Sequence, residues 1–486
     1  MCAFVISDYV GARVRRKEDP RLITGSSTYT DDVRIPGMLH VAMVRSIYAH
    51  ANIRGIDTST ASTMPGVVAI ITNTELSKVA DTEVEASGEG EESEGSFTAF
   101  AIDRVRYVGE AIAAVVAETI YQARDAADAV VVNYEPLDAV VGIEAAQADG
   151  APQLHAESAH NIALDVPHTA GDVDAAFAGA AVVVKQRIRE NKVAGVSMEG
   201  RAVAAAPDGI TGGVTVWSST QAAHSNRATV AASLHLPPSQ VRFIAPEVGG
   251  AFGVKIGAYP EDIIIAAIAR YLKRPVKWIE TRSEHMQATN HGRAQVADIE
   301  VAAEKSGKIT GLKMTVYQDQ GADNRGSYLG PTTTSMAVGC YDIQNLSTRA
   351  VGVYTNTMPM NAYRGAGRPE AAYYIERTID LVADATGVDP AEVRRINFIP
   401  KEKFPYTTAA GARYDTGEYS KALDKALEVS GYQQLRQEQA EARKQGRYLG
   451  IGLASYVEIC GFGPWESSTI RIEPNGSVTA YTGISP

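Results

Sequence analysis

A mixed α/β fold of roughly three domains is what this chain predicts, and three observations predict it. Its 486 residues are 45% hydrophobic and 21% charged, the composition of a globular protein with ample core material. Strand and helix signals alternate along residues 20–145. Further on, a well-capped helix over Pro260–Leu272 stands between short apolar runs of strand type.

Met38–Val44 and Val67–Ile71 read as strands. Ala111–Ala117 (AIAAVVA) reads as a buried strand that starts after Gly109. Thr119–Ala129, rich in Ala, Arg and Asp, reads as a helix, and Val130–Tyr134 as a strand stopped by Pro136. These elements form one α/β unit with an acidic insertion. Seven acids lie between Asp81 and Glu94, beside Gly88 and Gly90, which is the pattern of a solvated surface loop. Residues 140–165 lack periodicity and read as a linker.

A second unit begins near Asp172, with strands predicted at Ala181–Arg187, Gly213–Ser218, Val241–Ile244, Val276–Glu280, Ala297–Ala302 and Lys313–Tyr317. The helix Pro260–Leu272 has Pro at its first position, Glu261 and Asp262 in its first turn, and Lys273 and Arg274 at its end. Another helix runs from about Pro369 to Ala385 and stops at Gly387, with Tyr374, Thr378, Leu381, Val382 and Ala385 on its apolar face. A third unit starts near residue 405. Helices are predicted at Tyr419–Ser430 and Gln433–Lys444, and strands at Leu449–Val457, Ser468–Glu473 and Ser477–Tyr481. Pro474-Asn475-Gly476 makes a hairpin of the last two.

The charge balance, 46 Lys+Arg against 57 Asp+Glu for a net −11, argues against a nucleic-acid binder, which needs a basic patch. The three cysteines, Cys2, Cys340 and Cys460, are scattered. They make no disulfide framework and no CxxC metal site, so a reducing, cytoplasmic setting is expected. At the N-terminus the Arg residues follow a short apolar run, the reverse of a secretory signal. No apolar run reaches the ~18 residues of a membrane span. GxxxxGK[ST], GxGxxG opening a βαβ unit, GxSxG and HExxH are all missing, and the histidines have no metal-ligand spacing.

Two glycine clusters and one polar run remain. Pro246-Glu-Val-Gly-Gly-Ala-Phe-Gly-Val-Lys255 follows a strand directly. Its glycines allow a nest of inward N–H groups suited to an anion or an oxo ligand, or a plain strand-to-helix turn with Phe252 in the core. Asn361-Ala-Tyr-Arg-Gly-Ala-Gly-Arg-Pro-Glu370 places Arg364 and Arg368 at a helix N-terminus, a phosphate site or an ordinary helix start. Trp217-Ser-Ser-Thr-Gln-Ala-Ala-His224 ends a strand in a polar run. There Gln221 either donates into a pocket or lies in a surface loop.

Together these segments resemble the molybdopterin-binding large subunits of the xanthine dehydrogenase and aldehyde oxidase family, including the branch of aerobic carbon monoxide dehydrogenase. Ser197-Met-Glu-Gly-Arg201, Trp217–Gln221, Gly249-Gly-Ala-Phe-Gly-Val-Lys255, Ala362-Tyr-Arg-Gly-Ala-Gly-Arg-Pro-Glu370 and Gly411-Ala-Arg-Tyr-Asp415 occur in the family's order. Arg45-Ser-Ile-Tyr-Ala-His50 and Tyr107-Val-Gly-Glu-Ala-Ile-Ala-Ala-Val-Val-Ala117 resemble its N-terminal domain. The resemblance implies a hammerhead-like α/β domain over residues 18–140, a linker over 141–164, a first molybdopterin-binding α+β domain over 165–404, and the start of a second over 405–486.

It also implies roles. Gln221 matches the glutamine that hydrogen-bonds a molybdenum oxo ligand. Gly249, Gly250, Ala251, Phe252 and Gly253 match the loop beside the metal, and Arg364, Gly365 and Arg368 the loop near the pterin. Ser197–Arg201 and Lys255 are read as structural. The pterin dithiolene holds the metal, so no protein ligand is expected. The cofactor is molybdenum-molybdopterin, in its plain or cytosine dinucleotide form. The activity implied is oxidative hydroxylation of an aldehyde or an N-heterocycle, with water as oxygen source. Ile256 suggests an apolar wall to the substrate site. Members that oxidise carbon monoxide through a copper thiolate carry cysteine where this chain has Gly365, which disfavours that activity. A non-catalytic scaffold is the remaining alternative.

The family continues well past Pro486, where its general-base glutamate lies. The chain is therefore expected to be incomplete and inactive alone, with no catalytic residue of its own. Electrons are expected to leave through a small iron–sulfur subunit and a medium FAD subunit, in a dimer of heterotrimers. A [2Fe–2S] cluster usually needs four thiolates and a flavin domain a Rossmann fingerprint; the sequence has neither. Metal analysis of this chain purified alone should find no stoichiometric iron.

Overall fold

The computed structural model describes residues 11–86, 95–459 and 467–483. Cys2, Cys460, the end of the acidic stretch and the terminal Ile-Ser-Pro486 lie outside the described residues.

A seven-stranded mixed sheet organises the first half of the chain. Its strands lie in the order Val241–Ile244, Val214–Ser218, Ala202–Pro207, Val276–Ile279, Leu39–Arg45, Ala111–Ala117, Val67–Ile71. The N-terminal and second units thus share one sheet, joined by a short parallel register of Leu39 with Val276 and His40 with Lys277. They share a core as well. Leu39, Val41 and Val116 pack with Val203, Val216, Trp278 and the helix Pro260–Leu272. That helix is buried along most of its length, so its sequence is apolar nearly all round. The rest of the N-terminal unit is a small sheet of Ala51–Asp57, Arg104–Val105 and Val131–Pro136.

The second half is built on a five-stranded sheet in the order Val182–Ala194, His291–Ala303, Ile309–Gly321, Leu346–Tyr354, Ile162–Ala170. The helix Arg368–Thr386 covers it, and its side chains join Ile299, Val301, Leu312 and Met314 in a second core.

Several sequence expectations need correction. The acidic stretch is not wholly loop, since Glu83–Ala86 pairs with Gly95–Thr98. The segment 141–164 is not a free linker. Ile143, Ala146 and Leu154 pack on Val296, Val351 and Val353, and the strand Ile162–Ala170 begins within it. Polar composition hid a docked segment whose backbone is satisfied by the buried side chain of Asn161. Leu449–Val457 is no strand. Its backbone is taken by side chains instead: Ser455 N–H donates to Glu376 (2.8 Å) and Leu453 C=O accepts from Arg394 (2.6 Å). On the helix Arg368–Thr386 the buried stripe runs through Ala371, Tyr374, Ile375, Thr378, Ile379, Val382 and Ala383, while Ala385 is exposed. The terminal hairpin forms as expected, Ile472 opposite Val478, with Ile470, Ile472, Val478 and Tyr481 all exposed.

Buried charge ties the units together. Arg201 forks onto Glu261 (2.6 Å) and Glu280 (2.7 Å) and lies over the Tyr259 ring at 4.0 Å. From the N-terminal unit, Arg45 reaches the same Glu261 (2.7 Å) and Glu284 (2.8 Å). Burial alone would raise the Glu261 carboxyl, but Arg201 and Arg45 outweigh it and hold it at about 2.

Glu110, in the same junction, has no such partner. Burial pushes its carboxyl up to about 7, against the Arg106 N–H it accepts from at 2.6 Å. The folded group keeps its proton to higher pH than an unfolded Glu at ~4.3. Its stabilising contribution is therefore present below pH ~4.3 and lost as pH rises through about 7. Glu110→Gln should stabilise the protein at pH 8 by on the order of 1–3 kcal/mol and give no gain at pH 4, measured by denaturant unfolding at both pH values.

Candidate functional site

The glycine loop leaves the strand Val241–Ile244 at the edge of the seven-stranded sheet and ends at Tyr259, where the helix Pro260–Leu272 begins. Gly250, Phe252 and Gly253 all have positive φ, at 94°, 57° and 97°. The N–H groups of Gly250, Ala251 and Phe252 have no hydrogen-bond acceptor among the described residues. Three neighbouring donors left open on a tight turn make a nest for an anion or an oxo group. Phe252 is 44% exposed, which removes the alternative of a plain turn with that ring in the core. Ala251 is buried, so only its backbone can face a ligand.

Gln221 stands at the end of the strand Val214–Ser218, beside this loop. Its Oε1 accepts from the Gly253 N–H at 2.9 Å, and its own N–H donates to the Lys255 carbonyl at 3.0 Å. Because Gly253 can only donate, the amide is oriented with Nε2 as its free donor. No described residue accepts from that Nε2.

The arginine loop lies against the same turn. Arg364 N–H donates to the Phe252 carbonyl at 2.8 Å. Gly365, Ala366 and Gly367 have φ of 99°, 37° and 83°, a tight run that ends at the 19-residue helix Arg368–Thr386. The guanidinium of Arg364 is exposed and has no partner among the described residues. Arg368, grouped with it from the sequence, behaves differently. Its Nε donates to Glu458 (2.8 Å) and its Nη1 to the Ala366 carbonyl (3.2 Å). At Gly365, an added Cβ would come within 2.4 Å of Pro369 Cγ, on a backbone of φ +99°. A side chain there would need the loop to shift. Cys340 is buried, and burial raises its thiol well above the usual range, so it offers no thiolate either.

Ser197–Arg201 and Lys255, expected to be structural, meet under the glycine loop. Beneath the nest, Glu199 Oε2 accepts from Gly249 N–H (2.7 Å), Ser219 Oγ (2.6 Å) and Lys255 Nζ (3.1 Å). Lys255 Nζ also donates to Ser219 Oγ at 2.7 Å. Burial lowers the Lys255 ammonium, and Glu199 opposes that shift. A lysine inside an otherwise small and apolar loop was the signal for this lock. Among the described residues no group of three or more His, Cys, Asp or Glu side chains is placed to hold a metal ion. The donor set suits an anionic ligand instead: open N–H groups, one amide donor and one unpaired guanidinium.

Three family descriptions match the chain. "Aldehyde oxidase and xanthine dehydrogenase, a/b hammerhead domain" covers residues 24–138. "Molybdopterin cofactor-binding domain" covers residues 154–398, and a second description of that name 425–486. The chain belongs to the molybdopterin-binding large-subunit family. Within this family it is similar to the 6-hydroxypseudooxynicotine dehydrogenase complex subunit gamma of Paenarthrobacter nicotinovorans, 35% identical over 98% of this chain and 61% of that protein. It is similar too to the carbon monoxide dehydrogenase large chain of Hydrogenophaga pseudoflava, at 37% identity over 97% of this chain and 62% of that protein. The solved structure of quinoline 2-oxidoreductase from Pseudomonas putida 86 superposes with a TM-score of 0.90 at 32% identity, covering 96% of this chain and 62% of that one. The chain thus spans about 61–62% of the length of these large-subunit relatives.

The close packing of the two loops is itself testable. A Cβ on Gly253 would lie 2.9 Å from the Ala362 carbonyl oxygen, at φ +97°. Gly253→Ala should cost on the order of 1–3 kcal/mol in urea unfolding.

Proposed function

We propose that this chain is the catalytic large subunit of a molybdenum hydroxylase, binding molybdenum-molybdopterin between the glycine and arginine loops. The observation that carries it is the open nest of Gly250, Ala251 and Phe252 beside a Gln221 amide whose free donor is fixed by Gly253. When bound, the cofactor supplies the metal and the two-electron chemistry that oxidises a carbon centre with oxygen from water. Gln221 Nε2 and the nest N–H groups would donate to its anionic oxygens, on backbone already held in place. Arg364 would place a guanidinium on the pterin side. Gly249 serves through its bond to Glu199, Gly365 by letting the loop turn, and Arg368 by bracing the helix start.

An electron-poor N-heterocycle is the favoured substrate, ahead of an aldehyde. Half-exposed Phe252 and Ile256 would give the site apolar walls, and one similar structure is named for quinoline. Carbon monoxide oxidation through a copper thiolate is disfavoured by glycine at 365, which supplies no sulfur for the copper. A small iron–sulfur subunit and a medium FAD subunit would take the electrons, in a dimer of heterotrimers. A relative's name, "complex subunit gamma", fits such an assembly. The pterin would be in its plain or cytosine dinucleotide form, and the complex cytoplasmic; no described helix is long and apolar enough to cross a membrane.

Dye-linked turnover of the full-length complex with quinolines, pyridines, purines and aldehydes tests the substrate class. Arg364→Ala removes a charge-assisted donor worth ~1.5–3 kcal/mol. It should retain about 10–100 times less molybdenum after dialysis at equal folding, measured by metal analysis. Equal retention would leave Arg364 no role toward the cofactor.

A further inference from the structure

Beneath the arginine loop sits a charged group that the reading above does not use. Arg293, on the strand His291–Ala303, is 10% exposed. Its Nη1 donates to the Tyr363 carbonyl (2.9 Å) and its Nη2 to the Arg364 carbonyl (2.7 Å). The guanidinium also lies 4.9 Å from the centre of the Tyr363 ring. Glu370, from the first turn of the following helix, meets Nη1 at 3.2 Å, and Glu190, from the neighbouring strand, approaches Nε at 3.5 Å. One side chain therefore grips two consecutive carbonyls, the ring between them and the helix that follows.

The strand deforms to deliver it. Arg293 and Ala294 both lie in the left-handed region, at φ 64° and 56°, a conformation that costs on the order of 1 kcal/mol or more per non-glycine residue. The approach is close as well: a Cβ on Gly292 would fall 2.3 Å from Tyr363 Cβ. Arg364 is thus pinned on both sides of its α-carbon. Its N–H is on Phe252 and its C=O on Arg293, while its own side chain is left without a partner among the described residues. Two carboxylates face the single guanidinium, and the second oxygen of each, Glu190 Oε2 and Glu370 Oε2, is buried without a partner. Burial and the Glu370 charge push the Glu190 carboxyl up to about 7.

We propose that Arg293 is a positioning residue, a guanidinium clamp on the Tyr363 and Arg364 carbonyls that holds Arg364 pointed at the cofactor, with Glu370 and Glu190 as its counter-charges. The last step rests on the function proposed above. The clamp itself does not. A lysine keeps the charge but has no fork to span two carbonyls, so Arg293→Lys separates geometry from charge.

The test compares wild type and Arg293→Lys in two measurements on the holoenzyme. The first is the rate of tryptic cleavage after Arg364 in the native protein, which reads the loop whether or not cofactor is bound. Arg293→Lys should be cut at least about ten times faster, with a thermal midpoint within a few degrees of wild type. The second is molybdenum per chain after dialysis, which should fall about tenfold or more. Where Arg293→Lys does not fold, the triple variant Arg293→Gln, Glu370→Gln and Glu190→Gln carries both measurements, since it removes the guanidinium together with both carboxylates that face it. Cleavage at the wild-type rate overturns the clamp. Faster cleavage with undiminished molybdenum overturns its role toward the cofactor. Purified wild-type protein without molybdenum overturns the proposed function and with it that role, while the cleavage rates still decide the clamp.

Discussion

The buried fork of Arg201 onto Glu261 and Glu280 is the constraint on which the rest depends. Glu261 opens the helix that begins where the glycine loop ends, and Glu199, two residues before Arg201, holds the loop's other end at Gly249. Fixing Arg201 therefore fixes the loop from both sides. Arg45 adds the N-terminal unit to the same carboxylate. Ion pairs this deep gain little over an apolar core, but stranding one member costs roughly 3–5 kcal/mol. In the observed register the guanidinium groups of Arg201 and Arg45 meet all three carboxylates at once.

The site that results is defined by what is left unsatisfied. Its backbone is held at Gly249, Gly253 and the Arg364 carbonyl by Glu199, Gln221 and Arg293 from outside the loops, and the two loops are joined by the Arg364 N–H on Phe252. The groups that remain open, three N–H donors, an amide and a guanidinium, all favour negative charge. Donors already aimed need no reorganisation when a ligand arrives. The energy for holding them open comes from the locks below, Glu199 with Lys255 and Ser219 under one loop, and Arg293 under the other.

How much of this was legible in the sequence differs by element. The helix Pro260–Leu272 and the strands Val67–Ile71, Ala111–Ala117 and Val241–Ile244 were read with their true bounds, because caps and uninterrupted apolar runs are local signals. Gln221 and the glycine loop were singled out by composition, and the structure joins them through one hydrogen bond. Arg368 was read together with Arg364 because both flank the same glycines, yet only tertiary contact shows that Glu458 takes it. Leu449–Val457 was expected as a strand, but Glu376 and Arg394, side chains of two helices, claim its backbone. Arg293 left no trace, since a lone arginine in a strand has no pattern. The shared seven-stranded sheet was equally invisible, because it rests on a pairing between residues more than two hundred positions apart.

That pairing has a consequence for biosynthesis. The strand Leu39–Arg45 takes Ala111–Ala117 on one edge early, but its other edge waits for Val276–Ile279. At ~5–20 residues per second on the ribosome, the open edge persists for some tens of seconds of translation. An unpaired apolar edge is a template for pairing with other chains. The nascent N-terminal unit therefore carries that edge uncovered until the segment around Val276 emerges, and the two units can join into one sheet only then.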